Sequence, residues 1–117
     1  MSRPPEIQAY RFGRIVIDDA VYNRDVIIFP DRVRSNWRRR GGHNLALEDF
    51  IEVLADDPEI IILGRGANGR MKVADDVREL ITERGIEFLN FRTEGACKTY
   101  NELRERRRVI AALHLSC

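Results

Sequence analysis

Cysteine is scarce in this chain of 117 residues: Cys97 and Cys117 are the only two. That is too few for the disulfide framework of a small secreted domain. Long apolar runs are missing too, and none approaches the ~20 residues that cross a bilayer. The opening Met1-Ser2-Arg3-Pro4-Pro5-Glu6 has neither the apolar core of a signal peptide nor an arginine-rich amphipathic helix. A reduced, cytoplasmic protein without a membrane segment is therefore the expectation. An excess of one charge sign is also lacking. At a net +1, no overall field gathers nucleic acid or anionic membrane. Lysine is nearly absent, with Lys72 and Lys98 alone, so arginine carries the positive charge. Arginine favours planar, bidentate partners.

What is there suits one globular domain over 1–117, 44% hydrophobic and 33% charged. From Ile60 onward, strand and helix signals alternate. Ile60-Ile61-Ile62-Leu63 is fully apolar and runs into Gly64-Arg65-Gly66. A helix from about Asp75 to Arg84 follows, with Val77, Leu80 and Ile81 on one face and Gly85 as its stop. Next come an apolar run from Ile86 to Leu89, a helix capped by Thr93, and a last apolar run from Val109 to Leu115. This is a βαβαβ pattern, which builds a parallel sheet covered by helices. The basic Arg104 to Arg108 suits the negative end of the last helix.

The first half reads as extended. Ile7 to Phe12 and Arg14 to Ile17 flank Gly13, and Asp18-Asp19-Ala20 turns the chain. Val21-Tyr22 and Val26 to Phe29 then continue an antiparallel meander. Asp31 to Asn44 is irregular, with five arginines, Trp37, Gly41-Gly42 and His43. So long a connection implies function or mobility. Asn44 is placed to cap a helix whose Leu47, Phe50, Ile51 and Leu54 form one stripe, ended by Asp57-Pro58.

Gly64-Arg65-Gly66, Met71-Lys72-Val73, Gly85-Ile86, Thr93-Glu94, Ala96, Lys98, Tyr100-Asn101, Leu103, Val109 and His114-Leu115-Ser116-Cys117 together resemble the Mth-domain family. That family includes an adipogenesis-associated protein, archaeal proteins of similar length and, more distantly, a mitochondrial complex I assembly factor. The resemblance implies a three-layer α/β fold, with a central mixed sheet and extra strands alongside. It also implies roles in assembly or regulation, with no established catalysis. Relatives carry a glycine before the final strand where this chain has Arg106-Arg107-Arg108.

Each candidate chemistry has a structural alternative. Gly64-Arg65-Gly66-Ala67-Asn68-Gly69 spells G-x-G-x-x-G, but Arg70 to Ala74 separate it from the helix, which then opens with Asp75-Asp76. Glu87, the candidate ribose contact, sits near the start of its strand. A tight glycine turn, or a small anion held by Arg65, fits better than a dinucleotide. No cofactor is expected. Cys97 with His43 could be nucleophile and base, yet Cys97 borders an apolar helix face and reads as inert. His43, Cys97, His114 and Cys117 make up the whole set of histidines and cysteines, but their spacings match no zinc motif, and no metal is expected. Trp37 beside Arg38, Arg39 and Arg40 suits a protein contact, or folds back onto the sheet. Nucleic acid is not the expected partner.

The expectation is a non-catalytic binding module for a protein partner or a small anionic ligand, its oligomeric state left open. Trp37, His43, Gly64, Arg65 and Gly66 are its candidate site residues, in a cleft between the Trp37–His43 and Gly64–Arg70 loops. The alternative is a small enzyme or binder acting on an anionic metabolite, with Arg65 as anchor and Cys97 or His43 active.

Overall fold

A computed structural model describes residues 3–117. Its centre is a five-stranded mixed sheet. Strands β7 (Ile60–Arg65), β9 (Glu87–Phe91) and β10 (Val109–His114) run parallel, and β4 (Val26–Phe29) and β5 (Arg32–Arg34) extend the sheet antiparallel, in the order β5-β4-β10-β7-β9. β10 is buried at every position and β7 at every position but Arg65, which explains their unalternating aliphatic sequence.

Two layers cover this sheet. On one face lie α3 (Thr93–Leu103) and a separate three-stranded meander, β1 (Ile7–Arg11), β2 (Arg14–Ile17) and β3 (Ala20–Tyr22). Ile15, Ile17, Ile62, Ala111, Ala96 and Tyr100 pack there. On the other face lie a 3-10 turn (Leu47–Phe50), α1 (Ile51–Ala55) and α2 (Asp75–Glu83), with Trp37, Phe50, Val77 and Ile81 against Ile61, Leu63 and Ile110. A short parallel pair, β6 (Asn44–Leu45) with β8 (Lys72–Val73), ties the long connection to the segment after the glycine turn.

Five local expectations change. The meander ends at Tyr22, and Val26–Phe29 joins the central sheet, because four consecutive buried residues need cover on both faces. Part of the irregular connection is β5, a hairpin partner of β4. Asn44 lies in β6 and caps nothing. The turn starts at Ala46, whose N–H donates to Asp49 Oδ2 at 2.9 Å. Because that first turn is 3-10, Ile51 rotates out to 68% exposure while Val53 turns inward.

Thr93 is the fifth. It is the first helical residue, preceded by Arg92 at the cap position, and its hydroxyl serves the sheet. Thr93 Oγ1 donates to the His114 carbonyl at 2.6 Å and accepts from Gly66 N–H at 2.9 Å. Thr93 N–H donates to the Gly66 carbonyl at 3.1 Å. This buried group pins the glycine turn to the end of β10. A Cβ on Gly66 would lie 2.6 Å from Ser116 and Cys117 backbone atoms, so only glycine permits the approach.

Candidate functional site

β7 and β10 end side by side, with Arg65 the register partner of His114. Residues two apart on a strand share a face, so Arg65 and His114 project where Leu63 and Ala112 do, toward the layer containing Trp37. The carboxyl ends of parallel strands are where open α/β sheets hold ligands.

A groove of about 850 Å³ opens there. His43, Arg65, Arg70, Lys72 and Arg78 line it together with Asn44, Gly69, Met71 and Val73, and no carboxylate does. None of its four permanent cations forms an ion pair among the described residues. A concave surface with unopposed cations concentrates anions.

Behind His43 lies a cluster that sequence reasoning missed. Asp25 Oδ2 accepts from Arg39 Nη2 at 2.8 Å and from His114 Nδ1 at 2.7 Å, and Asp25 Oδ1 accepts from Leu115 N–H at 2.8 Å. Burial alone would raise the Asp25 pKa, but these donors outweigh it and hold the carboxyl below its ordinary value. The His43 and His114 rings meet edge to face, 5.6 Å between centroids. Asp25 and His114 are 89 residues apart, and nothing in a single sequence pairs them. The one signal was an aspartate just ahead of a wholly apolar strand.

Of the expected site residues, the structure brings His43 and Arg65 into the groove. Gly64 and Gly66 are buried in the turn beneath it. Trp37 is 4% exposed, stacked on Phe50 at 6.1 Å with its Nε1–H donating to the Asp49 carbonyl, so its indole offers no partner contact. It acts from behind. Arg39 lies 4.6 Å over the indole, and Trp37 N–H donates to the Asp25 carbonyl at 2.8 Å.

Other candidate chemistries come apart. Gly66 N–H is taken by Thr93 and Gly69 N–H by the Gly66 carbonyl, so neither amide is free for a phosphate. β8 intervenes before α2, and Glu87 pairs with Ile60 at the far end of β7. Cys97 packs in the cluster on the opposite face from His43, where burial, then the Glu94 charge, push its thiol up to about 12. That separation divides the two histidines from Cys97, and no metal-holding group of three occurs among the described residues. No helix there is long and apolar enough to cross a membrane.

A family model described as "Protein of unknown function (DUF498/DUF598)" matches residues 7–114. Among solved structures, a conserved hypothetical protein of Pyrococcus horikoshii is 25% identical, with a TM-score of 0.85 over 96% of this chain and 99% of its own. A protein of Bartonella henselae, named an outer membrane protein, is 26% identical, with a TM-score of 0.81 over 99% and 98%. A Bordetella pertussis protein described as a Mth938-like domain shares the fold, at 20% identity and a TM-score of 0.64 over 98% and 90%.

Proposed function

Because the chain belongs to the DUF498/DUF598 family, that of the Mth938-like domains, whose function is unknown, we propose that it is a cytoplasmic, non-catalytic binding module whose groove takes a small anionic ligand. Occupancy of the groove then serves an assembly or regulatory role. The observation that carries this reading is the set of four unpaired cations, Arg65, Arg70, Lys72 and Arg78, lining one concavity without a carboxylate. Fixed charges this close repel one another, and a protein keeps them at little benefit to stability unless something anionic binds. Cys97 chemistry is disfavoured, since a thiol held near 12 carries almost no thiolate at neutral pH. Thiol labelling of the native protein should therefore stop at Cys117, with Cys97 reacting only on unfolding. Rapid native labelling of Cys97 would favour the enzyme alternative.

The main test is a melting-temperature series with phosphate, pyrophosphate and citrate against chloride at matched ionic strength. A ligand at 100 times its Kd stabilises by about 2.7 kcal/mol. At least one polyvalent anion should raise Tm by several degrees, and the Arg65→Met, Arg70→Met double variant should lose that rise. Equal melting in all four salts rejects the proposal.

A further inference from the structure

Three buried side-chain nitrogens have no hydrogen-bond partner among the described residues: Arg39 Nη1, Arg65 Nε and His114 Nε2. All three belong to one corner. Arg65 and His114 are register partners on the same face, and Arg39 Nη2 lies 3.1 Å from His114 Nδ1. The side chains of Arg39 and His114 are 5% and 8% exposed. Buried donors are almost always paired, and each unpaired one costs free energy. Asp25 does not serve them: its oxygens accept from Arg39 Nη2, His114 Nδ1 and Leu115 N–H instead. Nδ1 turned to Asp25 leaves Nε2 away from the carboxylate, and His43, in the groove wall, packs edge to face against that ring.

Charge points the same way. Asp25 offsets one guanidinium, which leaves the other, and a protonated imidazole, without a counterion. Both guanidinium nitrogens are obligate donors. What the corner is missing is an acceptor.

We propose that the groove's ligand presents an oxyanion, a phosphate or a carboxylate, whose inner oxygens seat behind His43, accepting from Arg65 Nε and from Nε2 of a doubly protonated His114. Arg39 and Asp25 are positioning residues: the carboxylate holds Nδ1–H and the guanidinium holds the carboxylate. Asp25, Arg39, His43 and Arg65 are the charged or titratable groups facing that ring. The His43 backbone is anchored, its carbonyl accepting from Lys72 N–H at 2.7 Å, so the His43 ring is what turns aside. This assignment rests on the anion-binding reading of the groove and adds which atoms read the ligand.

The test is a titration of the full chain with inorganic phosphate and, separately, with malonate, watching histidine side-chain nitrogens by long-range proton–nitrogen NMR. On saturation, both His114 nitrogens should be protonated, with the Nε2 signal shifted by the bound anion. His114→Asn keeps a donor toward Asp25 and deletes Nε2. It should weaken binding by about tenfold or more, the scale of one charge-assisted hydrogen bond. Should that variant not fold, the wild-type titration decides. Response to only one anion assigns the seat to that class. If an anion binds and Arg65→Met weakens it while His114 nitrogens stay put, the inner seat is wrong and the groove reading stands. If neither anion binds, the inner seat falls, and the groove reading stands or falls with the melting series.

Discussion

The two faces of the central sheet treat their polar groups in opposite ways. On the α3 face every notable polar side chain is a closed fastener. Tyr100 Oη donates to the Pro5 carbonyl at 2.7 Å, and Asn101 both accepts from Ile7 N–H and donates to its carbonyl. Thr93 joins β10 to the glycine turn. On the groove face, among the described residues, four cations lack carboxylates and three buried nitrogens lack hydrogen-bond partners. Satisfied polar groups hold a fold together, whereas unsatisfied ones stand against its stability and call for another reason. Much of the recognisable C-terminal motif, Thr93, Tyr100 and Asn101 included, therefore serves architecture. Arg65, Lys72 and His114 Nε2 are the motif's groups left unpaired on the groove face among the described residues.

Substitutions can break that contrast or sharpen it. The largest effect should come from Asp25→Ala, which strands Arg39 and His114 as buried donors. A loss of about 3–5 kcal/mol is expected in urea denaturation. The contribution has a definite pH signature. Asp25 titrates lower in the folded protein than its ordinary 3.8, so the unfolded chain binds the proton first as pH falls. Its stabilisation is complete above that ordinary value and drains away below it, as pH drops through the folded value. The variant should lack that share of the acid slope; an unchanged slope would remove Asp25 from the account.

Thr93→Val comes next. It leaves Gly66 N–H and the His114 carbonyl short of a partner at constant shape, which costs about 1–3 kcal/mol. The loss should appear in unfolding, while affinity for phosphate at the ligand-saturable temperature changes little. A larger effect on affinity than on stability would blur the two faces. The smallest effect belongs to the double variant Arg70→Met, Lys72→Met. Both residues are exposed and unpaired, so stability should stay within about 0.5 kcal/mol of wild type. A marked loss would show that the groove cations support the fold after all.

How much of this was legible beforehand depended on whether the signal was local. Ile60–Arg65 and Val109–His114 announced buried parallel strands because their aliphatic runs do not alternate. Val26–Phe29 carries the same signature, but it follows the meander strands in the chain and so reads as one of them, although burial on both faces puts it beside β10. Ile51 kept helical spacing but lost its place on the stripe, since a 3-10 start changes the rotation per residue. Thr93 has the chemistry of a cap, and only the proximity of Gly66 and the end of β10 redirected its hydroxyl. Arg65 and His43 were legible as candidates, because a glycine turn at a strand's carboxyl end and a long arginine-rich excursion are both local marks.

By itself the order of residues determined the alternating strands and helices from Ile60 onward. Periodicity, apolar run length and glycine stops act between near neighbours, and they are enough to specify strands, helices and their alternation. Which charges would meet was decided only when the chain closed. Asp25, Arg39, Arg65 and His114 come from four separate segments, and their contact depends on strand order and register. Electrostatic and hydrogen-bond energies depend on distance in space, which no spacing along the chain encodes.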